Sequence, residues 1–245
     1  MKNLSIDFKF ITLPLNNFEI ITTLEHKYKI TNLINNFKEK EVAFSGRGDV
    51  FKYKNLIIRK YRHGGVFRKI FKDYFIFKRR FIDEFKIFYY LNFHCFPTSE
   101  VIGILISKNF FYNGYIVTGE ITNVMELQDM LNENSFYNAG CVARRLHSLH
   151  VVHGDMHLKN FVLKESGEAY ILDFDKSCFS DNYHLKLKDV KRFFRSVLKF
   201  NYFNENAIEK NLIKAFSEGY GIGMSYYDKM KVTYHNRISW YLNSN

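Results

Sequence analysis

The stretch that decides the fold is His153-Gly154-Asp155-Met156-His157-Leu158-Lys159-Asn160-Phe161-Val162-Leu163, followed by Ile171-Leu172-Asp173-Phe174-Asp175. Asp155 stands five residues before Asn160, and Asp173 closes a short apolar run. The apolar runs Phe161–Leu163 and Ala169–Leu172, with Ser166-Gly167 between them, predict a hairpin that brings Asp173 back beside the loop holding Asp155 and Asn160. Phosphoryl transfer needs this set. The reaction depends on positioning and charge neutralisation rather than on covalent help from the protein. One carboxylate must face the attacking hydroxyl, as base or orienter, and Asp155 suits that task. An amide oxygen and a second carboxylate must hold magnesium, which prefers oxygen ligands and few protein ones, and Asn160 and Asp173 suit that one.

The flanking chain agrees with a kinase-type phosphotransferase. Ala139 to His150 reads as a helix with Val142, Leu146 and Leu149 on one face, so the order is helix, His-x-Asp loop, hairpin, Asp-Phe. A surface loop with two acids and an amide is the bland alternative, and that order argues against it. A smaller ATP-binding lobe should precede Asp155. Ser45 to Phe51 contains Gly46, Arg47 and Gly48, whose backbone N–H groups could approach phosphate oxygens. An ordinary turn would use the same glycines. Leu56-Ile57-Ile58-Arg59-Lys60 reads as the strand that ends in a phosphate-binding cation. Strand alternation lets only Arg59 or Lys60 face the phosphates, and Arg59 is favoured. A basic residue at a strand end is the plain alternative. Phe77 to Leu91 reads as a helix, with Glu84 the counter-charge to Arg59 and Asp83 its neighbouring alternative.

Val101–Ile106 and Gly114–Thr118 read as strands joined by a turn at Asn113-Gly114. Thr118-Gly119-Glu120-Ile121 falls where two lobes should join, and its backbone would hydrogen-bond adenine. Val124–Leu131 and Ser135–His150 read as helical, as do Lys186–Phe200 and Asn204–Tyr220. The fold class expected is α+β: a protein-kinase-like, two-lobe fold with a small β-rich N-terminal lobe (1–119) and a mainly helical C-terminal lobe (120–245).

Composition allows one compact two-lobe unit, with 245 residues, 47% hydrophobic content and only 2 prolines. The start, MKNLSIDFKF, is broken by Asp7 and Lys9, so neither a signal peptide nor a transmembrane span is expected. Cys95, Cys141 and Cys178 have no paired or metal-like spacing, which fits a reducing compartment. His147, His150, His153 and His157 lack the acidic or cysteine partners of a tetrahedral zinc site, and His153 is read as orienting the catalytic loop. The net charge is +11. Eleven basic residues crowd the span from Lys52 to Arg80 with only Asp73 opposing, interleaved with Phe67, Phe71, Tyr74, Phe75 and Phe77. Such a region suits an anionic partner, nucleic acid or a lipid face. A chain-wide bias toward Lys, Phe, Tyr, Ile and Asn would give the same crowding.

Taken together, GRGDVF (Gly46–Phe51), IIRKYRHGGVFRKIFKDYFIF (Ile57–Phe77), Glu84 in IDEF, HGDMHLKNFVL and ILDFDKS resemble the 3-deoxy-D-manno-octulosonic acid (Kdo) kinases. These sit within the lipopolysaccharide core sugar kinases, which have a protein-kinase-like fold. The resemblance runs from about Gly46 to Ser196, and Arg62–Gly65 is its most discriminating piece. It implies ATP- and magnesium-dependent phosphorylation of a Kdo hydroxyl on Kdo-lipid A, with Asp155 as base. It also implies peripheral work at the cytoplasmic face of the inner membrane, against an anionic membrane surface and without nucleic acid. Gly46, Arg47, Gly48, Arg59, Glu84, Glu120 and His157 become the ATP-binding set, and Asn160 and Asp173 the metal ligands. Arg62, His63 and Arg68 become acceptor-binding residues, with Arg192 and Arg195 behind them. The sequence departs from the usual pattern in having Arg59 for lysine, Asp175 for the glycine of Asp-Phe-Gly, and His157 where protein kinases carry lysine. The last departure points away from a protein substrate. A lipopolysaccharide core heptose kinase and an atypical protein kinase share the catalytic residues and are the alternatives. A non-catalytic basic binding protein is opposed by the intact Asp155, Asn160 and Asp173. The first 40 residues and the stretch after about Asn201 match nothing in this pattern.

Overall fold

The computed structural model describes residues 9–15, 17–37, 41–42, 50–62, 74–108, 110–204 and 207–243, with backbone alone for 41–42 and 235–243. Gly46, Arg47, Gly48, His63 and Arg68 lie outside the described residues. The chain divides into two compact units, Met1–Cys95 with Ser99–Ile121, and Phe96–Thr98 with Thr122–Asn245.

The first unit is built on a seven-stranded antiparallel sheet. Its strands are β1 (Ile11–Leu15), β2 (Phe18–Thr22), β3 (Glu41–Val42), β4 (Val50–Tyr53), β5 (Leu56–Lys60), β6 (Val101–Lys108) and β7 (Tyr112–Gly119), in the order β1-β2-β6-β7-β5-β4-β3. Helix α1 (Lys27–Asn35) buries Ile30, Leu33 and Ile34, one stripe of an amphipathic helix, against Ile20, Ile58, Leu105 and Val117. Helix α2 (Arg79–Phe93) buries Phe81, Phe85, Phe88 and Leu91 and packs along β6 and β7. β6 is accordingly buried without interruption from Val101 to Ile106, the pattern of a strand covered on both faces. Within the first 40 residues, which carry no motif, the described part supplies the edge strand β1, its neighbour β2 and one covering helix.

Two sequence expectations are corrected in this unit and the next. Asn113-Gly114 is not a turn. β7 runs straight through it, Asn113 opposite Ser107 and Gly114 opposite Ile106, and starts at Tyr112, before both residues. Gly114 serves packing instead, since the rings of Phe81 and Tyr61 would stand 3.2 Å from any Cβ placed there. Val124–Leu131 is not a helix. Val124–Glu126 forms β8, which pairs with Val162–Lys164, and Leu127–Asp129 is a single 3-10 turn. Pairing with a distant strand overrides the local helical period.

The second unit is mainly helical: α3 (Glu133–Ser148), α4 (Tyr183–Phe203), α5 (Lys210–Tyr220) and α6 (Met224–Asn243). α6 has no counterpart in the sequence reading, and α5 starts six residues later than Asn204. The Asn132 side chain accepts the Ser135 N–H at 2.9 Å and caps α3. α3 and α5 touch through glycines, because a Cβ on Gly140 or Gly219 would run into the facing helix backbone. Phe193 stacks on Phe216 with centroids 3.8 Å apart, and Phe161 and Phe194 meet the same pair edge-on. Against this aromatic core lie two small sheets. One has the order β11 (Ala169–Ile171), β10 (Phe161–Lys164), β8; the other pairs β9 (Val151–Val152) with β12 (Cys178–Phe179).

Candidate active site

In the second unit the loop from His153 to Asn160 is held from beneath by one buried acid. Asp189, fully buried on α4, accepts the backbone N–H of His153 at 2.6 Å on Oδ2 and that of Gly154 at 3.0 Å on Oδ1. Arg192 donates to the same Oδ1 at 3.0 Å, and His147 lies 3.3 Å from Oδ2. A carboxylate with this many donors compensates for its desolvation. Gly154 has φ +78°, and a Cβ there would strike the Lys176 carbonyl oxygen, so glycine alone fits.

His153 is completely buried and carries the loop's shape. Its Nδ1 accepts the Asp155 N–H at 3.2 Å, and its Nε2 faces the Leu172 carbonyl at 3.0 Å. That pairing requires a neutral ring with the proton on Nε2. Burial holds its pKa below the ordinary histidine value, against the pull of Asp189 and the Leu172 carbonyl. The imidazole rests on Phe174, centroid to centroid 5.2 Å. Ser177 closes the loop by donating to the His153 carbonyl at 2.8 Å.

Asp155 is thereby presented half-exposed, with Lys176 Nζ 2.6 Å from its Oδ2. Asn160, buried at the end of the 3-10 turn Leu158–Asn160, donates its side-chain N–H to the Asp155 carbonyl at 3.0 Å. That leaves Oδ1 as the acceptor end of the amide. The backbone carbonyl of Asn160 takes the Leu172 N–H at 2.9 Å, tying the loop to the residue before Asp173. The hairpin pairs Phe161 with Ile171, as the spacing predicts, with Gly167 at φ +85° in its turn. Asp173 stands at φ +65°, a left-handed conformation that aspartate tolerates better than most residues. Asn160 and Asp173 offer hard oxygen donors without thiolate or imidazole, a set that fits magnesium. His157, two residues beyond Asp155, has its pKa lowered by partial burial, opposed by Asp155 and Asp173.

His147 and His150 also have hydrogen-bonding partners. His147 Nδ1 meets the Tyr220 hydroxyl at 2.8 Å, and burial raises the pKa of that hydroxyl. His150 pairs with Asp181.

In the first unit, the Arg59 guanidinium on β5 donates to Glu84 Oε1 at 2.5 Å. Glu84 lies on the buried face of α2, only 2% exposed, among Phe81, Phe85 and Phe88. Asp83, its neighbour, is half-exposed and pairs with Arg79 at 3.3 Å. Of the two basic and two acidic residues weighed from sequence, Arg59 and Glu84 are the ones that meet. Arg62 lies two residues after β5 and is partly buried. At Thr118–Ile121, two backbone donors are already used inside the unit: Gly119 N–H to the Glu100 carbonyl at 2.8 Å and Glu120 N–H to the Asn55 carbonyl at 2.9 Å. The Glu120 carboxylate accepts Lys52 Nζ at 2.6 Å.

Sequence reasoning missed Asp189, Lys176 and Ser196, whose hydroxyl accepts the Leu158 N–H at 3.0 Å. A signal existed for Asp189 alone. It precedes Val190, Phe193, Phe194 and Val197 at helical spacing, which places an acid on an apolar face.

The Lipopolysaccharide kinase (Kdo/WaaP) family matches residues 32–220, most of the chain. The chain belongs to that family. The match extends well beyond the 46–196 marked by motifs, into α1 and through α5. Similar family members include proteins named 3-deoxy-D-manno-octulosonic acid kinase. That of Photobacterium damsela subsp. piscicida is 26% identical over 155 residues, 59% of this chain and 65% of the relative. That of Pasteurella multocida (strain Pm70) is 26% identical over 159 residues, 59% of this chain and 66% of the relative. That of Haemophilus influenzae (strain PittGG) is 28% identical over 160 residues, again 59% and 66%. The chain therefore spans just under two thirds of the length of these curated relatives. A crystal structure of aminoglycoside-3'-phosphotransferase of type VIII aligns with TM-score 0.56 and 11% identity, covering 84% of this chain and 98% of that one. That likeness shows the fold, and it is the protein-kinase-like α+β fold expected from the loop at Asp155. Among the described residues, no helix of this family member is long and apolar enough to cross a membrane.

Proposed function

We propose that the protein transfers the γ-phosphoryl group of ATP to a hydroxyl of Kdo on Kdo-lipid A, with magnesium, at the cytoplasmic face of the inner membrane. The observation that carries this reading is the fixed presentation of Asp155 by His153 and Asp189, next to Asn160 and Asp173, in a chain of the lipopolysaccharide kinase family. Asp155 accepts the hydrogen bond of the acceptor hydroxyl on Oδ1, while Lys176 engages Oδ2. The carboxylate thereby orients the nucleophile and takes its proton. Asn160 Oδ1 and the Asp173 carboxylate hold magnesium, whose charge offsets that of the phosphates.

Arg59, fixed by Glu84, contacts the ATP phosphates as a planar two-pronged donor where lysine would be a point charge. Gly46, Arg47 and Gly48 cradle the same phosphates through backbone N–H groups. Because the Gly119 and Glu120 N–H groups are taken within the unit, adenine recognition falls to the remaining backbone groups of Thr118–Ile121. His157, held neutral by burial, sits beside the phosphate path in place of a lysine. Arg62, His63 and Arg68 bind the anionic groups of the glycolipid, and the basic region faces the membrane surface.

The test is mass spectrometry of Kdo-bearing lipid A precursor after incubation with the protein, ATP and magnesium, beside an Asp155→Asn control. A phosphate mass gain on the Kdo-containing fragment, absent from the control, is expected. No gain with ATP still bound would overturn the Kdo assignment and turn the search to heptose-bearing core or protein acceptors.

A further inference from the structure

A cluster of large apolar side chains is displayed at the edge of the first unit. Phe75 and Tyr112 form an antiparallel bridge, N–H to carbonyl in both directions at 2.8 and 2.7 Å. Phe75 itself is buried, edge-on to Phe81 at 5.0 Å with the Arg80 guanidinium over its ring, which anchors the bridge to α2. Five residues within two positions of that bridge do the opposite. Ile76 is 62% exposed, Phe77 75% and Phe110 97%, while Tyr74 and Phe111 are also exposed, their rings 6.1 Å apart. One residue of each segment holds the structure and its neighbours face outward. Isolated exposed hydrophobes need no explanation, but five gathered on an anchored bridge mark a surface for a partner.

The charges around the cluster say which partner. Tyr74–Ile82 and Val101–Gly119 contain no acidic residue, against Lys78, Arg79, Arg80 and Lys108. Lys78 and Arg79 also hold Glu19 and Asp83 at the margin, so the local balance remains positive. Lys108 stands over the Tyr112 ring, two residues before the tip at Phe110. Aromatic rings at a protruding tip, ringed by long cationic side chains whose stems can lie along apolar surface, are the pattern of interfacial insertion into anionic lipid.

We propose that the Phe75–Tyr112 bridge is a membrane-docking surface. Ile76, Phe77, Phe110 and Phe111 enter the boundary between headgroups and acyl chains, and Arg79 and Lys108 contact anionic headgroups. This rests on the functional reading above only in placing the acceptor in a membrane. It deepens that reading by naming where the bilayer is met.

The experiment is co-sedimentation of the full chain with vesicles lacking any Kdo-bearing lipid, made either of phosphatidylethanolamine with phosphatidylglycerol or of phosphatidylcholine alone. The protein should bind the anionic vesicles, weaken with salt, and bind phosphatidylcholine poorly. Phe77→Glu with Phe110→Glu should lower partitioning about tenfold or more, since each change removes an apolar contact and adds a repelled charge. Phe110→Ser, at a site open to solvent, is the milder companion. Both variants should keep the wild-type thermal transition and the wild-type activity on detergent-dispersed acceptor. Wild-type binding unchanged in both variants, or no binding by wild type, would overturn the proposal. So would a wild-type dimer that the variants convert to monomer, because a second copy would then be the partner. Absence of kinase activity in detergent, with vesicle binding and its loss as expected, would sink the acceptor assignment and leave the docking surface standing.

Discussion

Lys176 and Asp155 form an ion pair of 2.6 Å across 21 residues of chain, and both side chains remain substantially exposed. The proposed catalytic base therefore has a cation on one carboxylate oxygen before any substrate arrives. Lys176 follows directly on Asp173-Phe174-Asp175, so the segment bearing the proposed metal ligand also delivers this charge. Lysine is missing from the position two residues after Asp155, where His157 stands. Lys176 supplies a positive group near Asp155 from another part of the chain.

Asp155→Asn should reduce turnover by about 10²–10⁴-fold, the usual worth of a positioned base, with ATP affinity retained. Lys176→Met should lower kcat by about ten- to hundredfold while the protein stays folded, since the pair is exposed and such pairs add little to stability. Steady-state kinetics with urea unfolding alongside checks both. A Lys176→Met enzyme with wild-type kcat would show that the cation is a bystander.

Asp189 is the buried post on which the loop rests. Asp189→Ala strands two backbone N–H groups and Arg192, and should cost about 3–5 kcal/mol of stability, as for other buried acids stripped from their donors. Amide hydrogen exchange at His153 and Gly154 should rise in the same variant. Asp189→Asn keeps the shape and one acceptor and should fall between the two.

Glu84→Gln leaves Arg59 without its charged partner and should weaken ATP binding about tenfold with a smaller effect on acceptor KM. Arg59→Lys should not behave as wild type, because lysine lacks the planar fork. Nucleotide titration by calorimetry distinguishes the two variants. Equal ATP affinity in wild type and Glu84→Gln would remove the pair from the nucleotide site.

Stability should fall as the solution is acidified below about pH 6.5, the unfolded histidine value. Burial lowers the pKa of His153 and of His157 in the folded protein, so the unfolded chain binds more protons over this window. Their contribution is intact above about 6.5 and is lost as pH falls through the lowered folded values. Urea midpoints at pH 5.5 and 7.5 should differ in wild type, and the difference should shrink in His153→Gln. An unchanged difference would mean that other groups govern the acid limb.

The loop and hairpin from His153 to Asp173 were legible because all of their determinants are local. Five residues bring Asn160 back to the Asp155 backbone, and two apolar runs about a Ser-Gly turn can only fold as a hairpin. The helix from Arg79 and the strand ending at Lys60 were legible for the same reason, whereas Glu84 was read only as the counter-charge that Arg59 needs, and its burial opposite Arg59 is tertiary. Gly114 misled because a glycine beside asparagine suits a turn and a crowded strand equally well, and only the rings of Phe81 and Tyr61 decide between them. Val124–Glu126 misled because a short apolar stretch takes whatever partner the fold offers, here β10.

By itself the sequence determined the fold class and the order of the loop, because those depend on residue type and spacing of a few positions. Tertiary structure alone decided that Asp189 bears the loop from 36 residues away, that Lys176 lies on Asp155, and that the segments bearing Phe77 and Phe110, both exposed, meet at the Phe75–Tyr112 bridge. Those relationships join residues brought together only when the sheets and helices close on their cores. No periodicity along the chain encodes which distant side chains will then be neighbours.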